Sequence, residues 1–158
     1  GGRILLLGDY SVEKTARMVQ CVNVALEELA DLDLVVRVRF HPSSKIIESL
    51  GPILECPEET TTGSLGWCNL VIGSSTTTAT VDAYFEGLPL IIWENASEPS
   101  FNIFNTSHIV ATCHSPSSMK FRIRQLMQVP HMKPAPPSEL FHLDEELHYW
   151  KQILSTAS

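Results

Sequence analysis

Short, wholly apolar runs that end in polar turns and lead into helical patterns punctuate this chain. Ile4-Leu5-Leu6-Leu7 ends in Gly8-Asp9. A run that short with no polar position reads as a strand buried on both faces. From Val12 to about Ala30, residues Ala16, Val19, Val22, Ala25, Leu26 and Leu29 recur at helical spacing, with Ser11 as the cap. Leu34 to Phe40 is β-branched and partly alternating, and His41-Pro42 stops it, because proline cannot donate to a ladder. The alternation continues with a short helix Ser43 to Leu50, a strand Pro52 to Cys56 and a Thr- and Gly-rich helix Glu58 to Trp67. Then come a strand Asn69 to Ile72, a helix Thr77 to Phe85 and Gly87 as a left-handed cap. Strands Leu90 to Trp93 and Ile109 to Thr112 follow, then a helix Pro116 to Met127 capped by Ser115 with proline at its first position. A Pro-rich connector, Val129 to Pro137, leads to a last helix, Asp144 to Leu154, anchored by Phe141, Trp150 and Leu154. Strands alternating with helices require right-handed crossovers. The expected fold is α/β: a Rossmann-like doubly wound parallel sheet of about six strands with C-terminal helices. It forms one domain over residues 1–158, whose residues 129–158 are connector and docking helix.

Size and charge narrow the function. With 158 residues the chain can bury about 70% of its unfolded surface, so it needs no disulfide or metal staple. Eighteen acids against eleven bases give a net charge of −7. That balance argues against wholesale binding of nucleic acid or anionic membranes. Cys21, Cys56, Cys68 and Cys113 form no CxxC pair, so free thiols in a reducing, cytoplasmic compartment are expected. His108, His114, His131, His142 and His148 have no metal-like spacing, and neither a metal nor a cofactor is expected. No apolar run approaches the ~20 residues of a membrane span, and no signal peptide is visible. The chain opens on Gly1-Gly2 without an initiator Met, which reads as an excised piece of a longer protein.

In an open α/β sheet, ligands bind outside the carboxyl ends of the strands. Four loops belong there: Gly8-Asp9-Tyr10-Ser11, His41-Pro42-Ser43-Ser44, Gly73 to Thr78, and Trp93-Glu94-Asn95. The third is the most informative. After Gly73 come Ser74, Ser75, Thr76, Thr77 and Thr78, opening directly into a helix. Helix starts carry free N–H groups that favour phosphate, and hydroxyls add donors. One hydroxyl suffices for a cap, so five invite the phosphate reading beside the capping one. His41 meets the same edge and can donate to a phosphate, or simply end its strand. Asp9 reads as a helix cap or a ligand contact. Glu94 and Asn95 read as contacts to a ribose or base edge, or as a solvated loop. Neither GxGxxG nor GxxxxGK[ST] occurs.

Arg39-Phe40-His41-Pro42, then Asn69 to Thr78, then Asp82-Ala-Tyr-Phe-Glu-Gly87-Leu-Pro89-Leu-Ile resemble the C-terminal, donor-binding half of GT-B glycosyltransferases. The likeness is greatest to bacterial surface-polysaccharide enzymes with HP and SS motifs: the CMP-sugar-dependent sialyl- and Kdo-type transferases and their glycerophosphotransferase relatives. It covers residues 3–112, and the tail fits their C-terminal cross-over. The resemblance implies that His41, Ser74 and Ser75 contact the nucleotide phosphate, with His41 stabilising the leaving group. Together with the loops at the ligand edge, this gives an expected donor site of Gly8, Asp9, His41, Pro42, Gly73, Ser74, Ser75, Thr76 and Glu94. The implied partners are a nucleotide sugar, CMP-linked by preference, and an N-terminal acceptor domain that carries the catalytic base. Without that domain the chain alone is expected to bind donor and not turn over. Peripheral association of the whole protein with the inner face of a membrane is also implied. One departure is the loop after Trp93, which reads Glu-Asn-Ala-Ser-Glu-Pro instead of a Gly-rich turn and leaves cytidine or uridine open. The alternatives are the donor half of a UDP-sugar transferase or epimerase, and a non-enzymatic flavodoxin-like regulatory module.

Overall fold

The computed structural model describes residues 1–43, 49–57, 60–104 and 109–132, with residues 152 and 155. Six strands and four helices lie among them: β1 (Gly2–Leu7), α1 (Val12–Glu27), β2 (Leu34–Arg39), β3 (Leu54–Glu55), α2 (Thr61–Trp67), β4 (Leu70–Ser74), α3 (Ala79–Phe85), β5 (Leu90–Trp93), β6 (Val110–Cys113) and α4 (Pro116–Leu126). The strands form one sheet in the order β3-β2-β1-β4-β5-β6, and each pairing is parallel. This is the doubly wound arrangement expected. Its order, with β3 at the edge, is that of the dinucleotide-binding folds.

Both faces of the sheet are covered, which is why the strands read as unbroken apolar runs. Ile4 and Leu6 of β1, Val36 and Val38 of β2, and Ile72 of β4 pack with Met18, Val22, Met119 and Ile123 from α1 and α4. Leu5, Leu7 and Val71 point the other way, against Leu65, Ala83 and Tyr84 from α2 and α3. β2 alternates strictly: Val36 and Val38 are buried, while Arg37 and Arg39 fall on the α2 face. There Arg37 stacks over Trp67 at 4.1 Å, and Arg39 reaches Ser64 Oγ at 3.4 Å.

The caps follow the sequence. Ser11 Oγ accepts from the Lys14 amide at the start of α1, and Ser115 with Ser118 forms a reciprocal capping box on α4. Gly87 takes φ 72°, the left-handed close expected after α3. None of the four cysteines forms a disulfide. Burial pushes the Cys68 thiol up to about 12 and raises Cys21 and Cys113 as well, so these thiols are protonated core residues.

Several boundaries differ from expectation by a residue or more, and three of them have a plain physical reason. β4 runs two residues past Ile72, because Gly73 and Ser74 still pair with Ile92 and Trp93 of β5. Accordingly α3 begins at Ala79, not Thr77. β3 shrinks to two residues at the sheet edge, where a single neighbour holds it. The expected helix over residues 43–50 lies largely outside the described residues. So do the tail helix with Phe141, Trp150 and Leu154, and His108, His142 and His148.

No helix among the described residues is long and apolar enough to cross a membrane. No group of three metal-ligating side chains occurs among them either.

Candidate functional site

The strand order reverses between β1 and β4, and a crevice opens there at the carboxyl edge. It holds a cavity of about 450 Å³. Leu7, Gly8 and Tyr10 come from the end of β1, and Arg39, Phe40, His41 and Pro42 from the end of β2. Thr76, Thr77, Thr78, Ala79 and Asp82 come from the turn after β4 and the start of α3, and Thr61 from the start of α2. Gly8 lets the β1 turn lie close to β2: its amide donates to Arg39 O at 2.9 Å, and a Cβ there would sit 3.2 Å from that same oxygen. The charged and ionisable lining side chains are Tyr10, Arg39, His41 and Asp82.

His41 is exposed at this edge. The Ser43 amide donates to its Nδ1 at 3.3 Å, and Ser43 Oγ lies 2.7 Å from the same nitrogen. An amide only donates, so Nδ1 accepts, and the proton of the neutral ring sits on Nε2. Nε2 is then a donor held in one orientation by the turn that Pro42 sets.

Asp9 lies beneath the cavity and is 2% exposed. It does not cap α1; Ser11 does. Its Oδ1 accepts from the Ser11 amide at 3.0 Å, and its Oδ2 accepts from the hydroxyls of both Ser74 and Thr76. Burial pushes its pKa up, but the Ser11 amide, the Ser74 and Thr76 hydroxyls and the Lys14 charge outweigh burial and hold the carboxyl below its usual range. Thr15 Oγ1 completes the knot, accepting from the Asp9 amide at 2.9 Å.

Of the five consecutive hydroxyls, Ser74 and Thr76 belong to this knot. Thr78 is the N-cap of α3 and makes no side-chain cap bond. Ser74 is 1% exposed, with its hydroxyl engaged by Asp9. The Ser74 and Thr76 hydroxyls tie the β4 turn to the β1 turn across the switch point.

Of the residues singled out in the sequence, the structure gathers Gly8, His41, Pro42 and Thr76 on the cavity wall. Asp9, Gly73 and Ser74 are buried behind it, and Ser75 is half-buried and outside the lining. Glu94 belongs to a separate cluster: its amide donates to Cys113 O at 3.0 Å and its carboxylate accepts from Ser100 Oγ. Sequence reasoning passed over Tyr10, Thr61, Arg39 and Asp82 as site residues. The signal for Arg39 was present, since alternation in β2 puts it on the face opposite Val38, two residues before His41.

Two solved structures share this architecture. The glycosyltransferase VinC, in a crystal structure with DTDP, matches with a TM-score of 0.54 at 14% identity, over 84% of this chain and 35% of VinC. The glycosyltransferase SnogD from Streptomyces nogalater matches with a TM-score of 0.52 at 12% identity, over 99% of this chain and 44% of SnogD. The fold is shared with part of these glycosyltransferases. The chain spans less than half the length of either. No protein-family model matches it, and no curated protein matches its sequence.

Proposed function

We propose that this chain is the nucleotide-sugar donor-binding domain of a glycosyltransferase, with a CMP-activated sugar as the donor and a surface polysaccharide or lipopolysaccharide as the product. The observation that carries this reading is the cavity beside the switch point, walled on its β2 side by Arg39 and His41. In an overall acidic chain, this is where a cation and an N–H donor meet at the ligand edge. The shared fold supports the reading, and the HP and SS motifs support the CMP-sugar.

On this reading the donor's phosphate lies against Arg39 and His41. Negative charge develops on that phosphate as the sugar departs, and the Nε2–H of His41 stabilises it. Gly8 and Pro42 shape the wall. Ser74 contributes from behind by fixing the turn, and Ser75 and Thr76 complete the edge. Glu94, tied to Ser100, lies outside the cavity and is left to the far end of the donor. The attacking acceptor and its base belong to a further domain of the full-length protein.

Calorimetric titration with a CMP-sugar tests this. A hydrogen bond to a charged group contributes about 1.5–3 kcal/mol, so His41→Gln should weaken binding about 10- to 100-fold, as should Arg39→Gln. Wild-type affinity in both variants contradicts the reading.

A further inference from the structure

The knot around Asp9 fixes where the hydroxyl protons of Ser74, Thr76 and Thr77 go. An ionised carboxylate only accepts, and a hydroxyl owns one proton. Ser74 and Thr76 both give theirs to Asp9 Oδ2. Ser74 Oγ lies 2.9 Å from Thr77 Oγ1; with the Ser74 proton engaged, Thr77 is the donor of that bond. All three protons point inward. Thr76 and Thr77 line the cavity, and what their hydroxyls have left to offer a ligand is lone pairs.

A phosphate oxygen is itself an acceptor and gains nothing from such a wall. A ligand hydroxyl gains a hydrogen bond. We propose that Thr76 and Thr77 form an acceptor wall that receives the O–H groups of a polyol, and that Asp9 is the positioning residue that sets this polarity. The inference rests on the nucleotide-sugar reading and divides the site. The anion lies at the β2 end, against Arg39 and His41, and the hydroxyl-bearing part of the ligand lies across β1 at the β4 end. Two parts of a nucleotide sugar carry such groups, the ribose and the transferred sugar.

The test measures Kd by calorimetry for pyrophosphate, CMP, 2′,3′-dideoxy-CMP and CMP-N-acetylneuraminate. The proteins are the wild type, the double variant Thr76→Val with Thr77→Val, and Asp9→Asn. If the wall reads ribose, wild type prefers CMP over the dideoxy form by about tenfold, and the preference collapses to about one in the double variant. If it reads the transferred sugar, the preference for CMP-N-acetylneuraminate over CMP collapses instead. In either case the double variant keeps wild-type affinity for pyrophosphate. In Asp9→Asn the amide donates to Ser74 and Thr76; Ser74 then gives its proton to Thr77, and the Thr76 and Thr77 protons turn outward, so pyrophosphate binds more tightly while the hydroxyl preference falls. A purely structural role for Asp9 would weaken every ligand together. Thr76 is exposed, so Thr76→Val alone carries the same comparison should the double variant fail to fold.

Equal loss of pyrophosphate and CMP affinity in the double variant would make these hydroxyls phosphate donors and overturn the proposal. So would two unchanged preferences. If wild type binds pyrophosphate but none of the nucleotides, both the functional reading and the polyol wall fall. If His41→Gln leaves nucleotide affinity intact while a preference collapses in the double variant, the phosphate assignment falls and the acceptor wall stands.

Discussion

A carboxylate that is 2% exposed is tolerated at Asp9 because donors surround it: one amide and two hydroxyls, with Lys14 nearby. Its pKa is depressed below the usual 3.8, so its charged form favours the folded state. The stabilisation is fully present above pH 3.8 and is lost as pH falls through the lower folded-state value. Urea denaturation across the acid range should show this loss in wild type and a flatter curve in Asp9→Asn. Asp9→Ala removes the carboxylate that accepts from both Ser74 and Thr76 and should cost about 1–3 kcal/mol at pH 7. Gly73 is equally confined. A Cβ there would lie 2.5 Å from Thr80 Cγ2, and Thr80 is pinned by its own bond to Thr77 O at 2.6 Å. Gly73→Ala should therefore cost about 1–3 kcal/mol in the same assay. Position at a strand end was enough to mark His41, Pro42, Gly8 and Thr76 in the sequence. The role of Asp9 was not legible, since its partners Ser74 and Thr76 stand 65 and 67 residues away.

Elements were legible where local chemistry and burial agree. The runs Ile4–Leu7 and Leu90–Trp93 are strands in both readings, and Ser11, Ser115 and Gly87 close helices as their chemistry dictates. β4 shows why boundaries fail. Gly-Ser after an apolar run has turn chemistry, yet Gly73 and Ser74 stay in the ladder because β5 supplies partners and Asp9 supplies an acceptor for the serine. Tertiary context extends the strand and delays α3. The α4 cap is a local device, so its contribution should be local too. Ser115→Ala removes the hydroxyl that accepts from the Ser118 amide and should cost about 1 kcal/mol by thermal denaturation, without changing ligand affinity.

At the scale of the whole molecule, alternating strand and helix patterns foretold the sheet, but not the order of its strands. The order matters for function, because the reversal between β1 and β4 opens the crevice, and β2 brings Arg39 and His41 to its wall. The chain's net charge of −7 opposes an anionic ligand at long range, so binding there depends on short-range contacts with those two side chains. The central claim is that this cavity binds a nucleotide. The most direct measurement is an amide NMR titration of the wild-type chain with CMP and a CMP-sugar, carried to 10 mM. The account predicts saturable shifts concentrated at Gly8, Tyr10, Arg39, His41 and the Thr76 to Asp82 segment. No shift at 10 mM, or shifts that bypass these residues, would contradict it.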